Sequence, residues 1–154
     1  MEWAIMIAVL VLDQLSKHWI EANRALYAHT EIIRNFFYID YVRNTGAAWS
    51  IFSGKVPFLT AVSVIEMIVI AVILVRMHRR HETVYCIALS LMLGGAAGNL
   101  IDRVMLGYVR DFLHFYPLGY SFPVFNIADC GITIGMFIVI LLMFLEDRKE
   151  KKAV

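Results

Sequence analysis

"FPVFNIADCGITIGMFIVILLMFL" (residues 122–145) reads as a helix built to cross a membrane, yet Asn126 and Asp129 stand at its start. An ionisable residue inside a span is costly, and when one is kept it usually serves a function. The question is whether the rest of the chain supplies partners for them.

The composition sets the class. Of 154 residues, 60% are hydrophobic, and the mean hydropathy is +0.70. A soluble domain typically carries about 45–50% apolar residues. This is an integral membrane protein, of a size that suits one compact domain over residues 1–154. A net charge of +1, with no basic block interleaved with aromatics, excludes a nucleic-acid groove. The two cysteines, Cys86 and Cys130, fall in apolar stretches and make no disulfide framework. The N-terminal "MEWAIMIAVLVLDQLSKHWI" has no basic n-region and no small-residue cleavage site, so it reads as a retained span rather than a cleaved signal.

Four segments approach the ~20 residues a spanning helix needs: about 3–20, 57–75, 84–101 and 124–145. "RMHRRH" (76–81) follows the second and "EDRKEKK" (146–152) the fourth. Short Lys/Arg-rich segments beside spans stay cytoplasmic, which places both termini inside and the connections 21–56 and 102–123 outside. The first connection holds "FFYIDYVRNTGAAWSIF", rich in aromatic and β-branched residues with "NTG" as a turn signal. That pattern predicts a small sheet on the outer surface, with an amphipathic lid as the competing picture.

The polar residues then agree in position. Span one carries Asp13, Gln14 and Lys17, the acid and base four apart on one face. Span three ends in "GGAAGNLIDR", with Asn99, Asp102 and Arg103; span four opens with Asn126 and Asp129; "VRDFLHF" supplies Asp111 and His114 just before it. With the topology above, three separate spans point their polar residues toward the outer leaflet, although Asp13 lies one turn deeper. That convergence predicts a polar site between helices, opening outward.

Each feature also has a plainer reading. Asn126 suits an N-cap, with Asp129 three residues on as in a capping box. Asp13 and Lys17 suit a packing ion pair, and Asp102 with Arg103 a surface pair at a helix end. Gly94 and Gly98 form GxxxG, a helix-packing signal. His78 and His81 sit among arginines as an anchor, while His18, His29 and His114 read as isolated structural histidines.

The set narrows the chemistry. No HExxH is present, and no histidine pair falls among the clustered polar residues, which argues against zinc. Cys130 with His114 is a conceivable nucleophile and base, but an adjacent aspartate would raise the thiol pKa. Ser16 adjoins Lys17, and on a helix the two point about 100° apart. What remain are aspartates. Two carboxylates that share a site cannot both ionise easily; one keeps a proton while the other acts as base, which suits water attack on an amide. Asp111 and Asp129, from different segments, fit that description.

At "DQLSK" (13–17), "RNTGAAWS" (43–50), "GGAAGNLIDR" (94–103), "VRDF" (109–112) and "FNIADC" (125–130) the chain resembles the lipoprotein signal peptidases, or signal peptidase II family. The motifs occur in family order over essentially the whole chain. The resemblance implies an α-helical bacterial plasma (inner) membrane protein with four transmembrane helices and a small extracytoplasmic β-cradle. It would be an aspartyl endopeptidase, a hydrolase that removes signal peptides from prolipoproteins by cutting before a diacylglyceryl-modified cysteine. It implies Asp111 and Asp129 as the catalytic dyad. Asp13, Lys17, Asn44, Gly46, Asn99, Asp102, Arg103 and Asn126 would shape the site or hold substrate. Expected partners are lipid-modified prolipoproteins and membrane lipids, with a monomeric chain, no metal and no other cofactor.

Two positions depart from the family pattern. Arg110 stands where valine is common, and in an extended segment it would point away from Asp111. Cys130 stands where serine is common, which weakens a nucleophilic role. The alternative function is a small proton-coupled transporter using Asp13, Lys17 and Asp129. The polar set gathers near one side, with Glu66 the only acid in the inner half of spans two to four, and this argues against a path. A purely structural membrane subunit is a second alternative. The GxGD pattern of another intramembrane aspartyl-protease type is missing.

Overall fold

A computed structural model of the chain describes residues 1–47, 49 and 51–153, with the side chains of Glu150, Lys152 and Ala153 excepted. Ala48 and Ser50 of the "RNTGAAWS" motif lie outside the described residues. The described elements are α1 (Glu2–Asn23), β1 (His29–Ile33), β2 (Phe37–Asn44), α2 (Val56–Arg79), α3 (Thr83–Leu106), β3 (Val109–Phe115) and α4 (Ile127–Ala153). All four helices are long and apolar enough to cross a membrane.

The helices form where apolar residues run without interruption, and they stop for local reasons. Pro57 sits in the first turn of α2, where its missing N–H costs nothing. Arg76, His78 and Arg79 close the same helix, where positive charge meets the negative dipole end. Gly107, at φ 77°, adopts the left-handed conformation that ends α3 and turns the chain into β3. The helices outrun the expected spans except at the head of the fourth: α3 continues to Leu106, so Asp102 and Arg103 lie within it and not in the following connection, whereas α4 starts at Ile127, three residues after the expected 124.

The helix α3 is the hub and packs against α1, α2 and α4. Small residues make this possible. Gly94 and Gly98 face α1, and a side chain at Gly98 would collide with the Asp13 carboxylate. The GxxxG stripe therefore seats α1 against α3 as a close-packing device. An apolar cluster of Ile70, Leu74, Cys86, Leu89 and Leu93 fills the far half of the bundle. Large apolar side chains such as Ile7, Leu15, Ile65 and Phe137 point outward, as lipid-facing surfaces require.

The expected sheet is present, in the antiparallel order β1-β2-β3. It is larger than the "FFYIDY" segment suggested. Before that segment runs β1, and β3 arrives from the other connection to pair Val42 with Asp111 and Tyr38 with His114. Phe112 and Leu113 N–H groups donate to the Phe125 carbonyl, which ties β3 to the approach of α4. Ile20, Tyr41 and Phe112 bury against one another and fasten the sheet to the end of α1. All three strands connect to one end of the bundle, and the basic turn at 76–81 lies at the other.

Candidate active site

Asp111 and Asp129 reach the site from two different elements. Strand alternation presents Asp111 on one face of β3 and Arg110 on the other. Asp111 is 3% exposed. It accepts hydrogen bonds from Asn44 Nδ2 at 2.9 Å and from Asn126 Nδ2 at 2.6 Å. Asp129 sits in the first turn of α4 and accepts from Asn99 Nδ2 at 2.8 Å and from the Asn126 backbone N–H at 3.1 Å. The Asp129 N–H in turn donates to Asn126 Oδ1 at 3.0 Å. This is a reciprocal capping box. The plain reading of Asn126 therefore holds, and the same amide also bridges to Asp111. Asn99 Oδ1 accepts from Asn126 Nδ2 at 3.1 Å and from Lys17 Nζ at 2.9 Å, which joins the carboxylates to the helix interior. Gly46 supports the arrangement indirectly: its N–H donates to Asn44 Oδ1 at 2.8 Å, fixing the amide that faces Asp111.

Beneath lies a buried charge network. Lys17 and Asp13 are both fully buried, with Nζ and Oδ2 2.8 Å apart, and Asp102 Oδ2 lies 3.7 Å from the same ammonium. Asp13 Oδ1 accepts from the Ala128 N–H at 2.9 Å, so span one also grips the start of α4. Arg110 points away from Asp111, as strand alternation requires, and makes a bidentate contact with Asp102: Nη2 to Oδ1 at 2.7 Å and Nε to Oδ2 at 3.1 Å. It also reaches Glu21 at 2.9 Å and Gln14 at 3.2 Å. The expected Asp102–Arg103 pair is therefore corrected. Adjacent residues on a helix point about 100° apart, so Asp102 turns inward to Arg110 and Lys17. Arg103 turns toward α2, where Nη1 donates to Ser63 Oγ at 3.4 Å.

A cavity of about 720 Å³ opens beside the two carboxylates, lined by Trp49, Ser63, Glu66, Arg103 and Phe122 together with Asp111 and Asp129. The rest of the lining is mostly apolar, with Leu59, Val62, Ile132 and Ile134 set among the polar groups. Burial, reinforced by the neighbouring Asp129, pushes the Asp111 carboxyl up to about 7, against the opposing pull of Asn44 and Asn126. It can hold a proton near neutral pH.

Nine of the ten expected site residues thus form one connected set, and the tenth, Arg103, lines the same cavity without a hydrogen bond to that set. Gln14, Glu21 and Arg110 also belong to the network; their polar character within or beside a span was the available signal. Cys130 lines the cavity, and His114 does not. The reading of His29 and His114 as isolated is corrected as well. His29 Nδ1 lies 2.8 Å from Asp40 Oδ1 and His114 Nδ1 lies 2.6 Å from Asp40 Oδ2. Strand pairing joins residues far apart in the chain, which spacing does not reveal.

Comparison with known proteins points the same way. A family model described as Signal peptidase (SPase) II matches residues 5–145. A lipoprotein signal peptidase of Listeria welshimeri is 37% identical over 149 residues, 97% of this chain and 96% of the relative. A solved bacterial membrane enzyme superposes with TM-score 0.85 at 37% identity, covering 97% of this chain and 90% of its own. Another superposes at 0.80 with 36% identity, covering 92% and 91%. Neither the family model nor the named relative describes a carrier, and the transporter alternative has no support.

Proposed function

This chain belongs to the signal peptidase II family, and on that premise we propose that Asp111 and Asp129 are the catalytic dyad of an aspartyl endopeptidase. The substrate is a prolipoprotein, cut just before a cysteine that carries a diacylglyceryl group. The observation that carries this reading is that two carboxylates from separate elements border one cavity, each held by asparagine amides.

In the starting state the pair shares one proton, held on Asp111. Asp129 takes a proton from water as the water oxygen attacks the scissile carbonyl, and Asp111 passes its proton to the carbonyl oxygen. The tetrahedral adduct then collapses. Its amide nitrogen takes the proton now on Asp129 and leaves as the new N-terminal amine, while a hydroxyl proton returns to Asp111. Asn44, Asn99 and Asn126 position the carboxylates. Lys17, Asp13, Asp102 and Arg110 hold the helices that carry them. The signal helix enters sideways from the bilayer, and its lipid stays in the outer leaflet and sets the depth of the scissile bond. The termini face the cytoplasm and the sheet faces outward. One chain suffices, because it supplies every residue named.

The test is direct. A lipid-modified prolipoprotein is incubated with wild type, Asp111→Asn and Asp129→Asn in detergent, with and without a chelator, and signal-peptide loss is followed by gel shift. Each substitution is expected to slow cleavage by at least about 10²-fold, the scale of positioned acid–base catalysis, with the chelator leaving wild-type cleavage intact. Normal cleavage by both variants removes the dyad assignment.

A further inference from the structure

We propose that His29, Asp40 and His114 form a binding site for one divalent transition-metal ion of the zinc class, on the sheet and separate from the aspartate pair. Each strand contributes one ligand: His29 from β1, Asp40 from β2 and His114 from β3. One ligand atom from each lies within 4.8 Å of the other two. A tetrahedral zinc ion with bonds of about 2.0–2.1 Å holds its ligand atoms about 3.3 Å apart. Asp40 presents a different oxygen to each ring, Oδ1 to His29 Nδ1 at 2.8 Å and Oδ2 to His114 Nδ1 at 2.6 Å, so the carboxylate must turn one oxygen toward the ion and the rings draw back by about 0.5–0.7 Å to reach that spacing.

Several independent features favour an ion here. Asp40 and His114 are each 8% exposed. Among the described residues, Asp40 pairs with no lysine or arginine, so the two imidazoles are its only ionic partners. A buried carboxylate without a permanent cation is a costly arrangement, and a bound divalent ion supplies the missing charge. Two imidazoles and one carboxylate match the donors that zinc-like ions prefer, whereas calcium and magnesium favour oxygen alone. The outer shell is in place too. His114 Nε2 lies 3.0 Å from Ser121 Oγ, which accepts its N–H when Nδ1 binds the ion. Tyr38 stacks on His29 with centroids 4.4 Å apart and fixes the plane of that ring. The His29 side chain is 52% exposed, which leaves an entry path and an open position for water.

The ion would fasten all three strands at one point. His114 follows Asp111 by three residues on β3, and a second cavity of about 440 Å³ is lined by both. The ion would lie on the strand that carries Asp111 without touching the reacting atoms, so its removal by a chelator leaves cleavage intact. The proposal is independent of the peptidase reading, because its readout is binding.

The full chain in detergent is titrated with Zn²⁺ against a chromophoric chelator, and Co²⁺ is followed by absorption. The expected result is one ion per chain and a Co²⁺ spectrum without a thiolate charge-transfer band. His29→Gln and His114→Gln remove binding, Ser121→Ala weakens it about 10-fold, and Cys86→Ser leaves it unchanged. Half-exposed His29 makes His29→Gln the variant safest for folding, and circular dichroism checks that it stays folded. Three results overturn the site: no Zn²⁺ retained by the wild type, binding unaffected by folded His29→Gln, or a thiolate band lost in Cys86→Ser. The last would place the ion at the opposite end of the bundle, where Glu2, His78 and Cys86 cluster.

Discussion

At the scale of single residues, the site depends on charges buried with their partners. Lys17 is the clearest case, fully buried between Asp13 and Asp102. Lys17→Met leaves buried negative charge uncompensated and is expected to cost about 3–5 kcal/mol, read as a lower thermal midpoint in detergent. In the proposed mechanism Asp111 carries the pH dependence. Its carboxyl is raised to about 7 in the folded protein by burial and by Asp129, so it loses its proton as pH rises through that value. If Asp111 is the acid of the dyad, cleavage falls on the alkaline side of about 7, and a kcat/KM profile flat to pH 9 would remove that role. The stability sign follows from the same shift. The contribution of this group is full below its unfolded value of 3.8 and is lost as pH rises through about 7. Asn126→Ala separates its two jobs. The lost cap costs about 1 kcal/mol, and the loss of the Asp111 contact shows as a drop in kcat beyond anything a lower midpoint explains.

At the scale of elements, the decisive contact is α1 against α3. Helix propensity alone predicts that Gly98→Ala stabilises by up to about 1 kcal/mol. The structure predicts the opposite sign, because the added methyl meets the Asp13 carboxylate. Overpacking of this kind typically costs about 1–3 kcal/mol, and thermal unfolding of the single variant decides between the two. The sheet acts through its register. A bulge between Ile39 and Val42 lets Asp111 and His114 both be served by β2 although they lie three residues apart. Arg110, on the opposite strand face, anchors β3 to α1 and α3 through Glu21, Gln14 and Asp102. Alternation thus gives one strand a catalytic candidate on one side and an anchor on the other.

At the scale of the whole molecule, four helices carry a polar layer at the end that meets the sheet and an apolar cluster at the other. The proposed orientation puts the sheet outside and the basic 76–81 turn in the cytoplasm. In a cysteine-free background, exposed Tyr120→Cys should react with a membrane-impermeant maleimide in intact cells, and exposed Glu82→Cys should react only after lysis. The reverse pattern would invert the topology and put the proposed dyad on the cytoplasmic side.

Sequence alone determined the membrane class, the number of long apolar helices, the small sheet and the convergence of polar residues toward one end. These follow from hydrophobic length, β-branched and aromatic runs, and the direction in which each span runs, all of them local properties. The capping relation of Asn126 and Asp129 was legible for the same reason, since three residues make one helical turn. Beyond the i, i+4 pair of Asp13 and Lys17, tertiary structure decided which charge meets which. Asp102 took Arg110 across eight residues and a turn rather than its neighbour Arg103, because adjacent helical side chains diverge. His29, Asp40 and His114 met because strand pairing brings distant residues within hydrogen-bond reach. A buried carboxylate selects its partner by position and orientation in space, and spacing along the chain fixes those only within a single element.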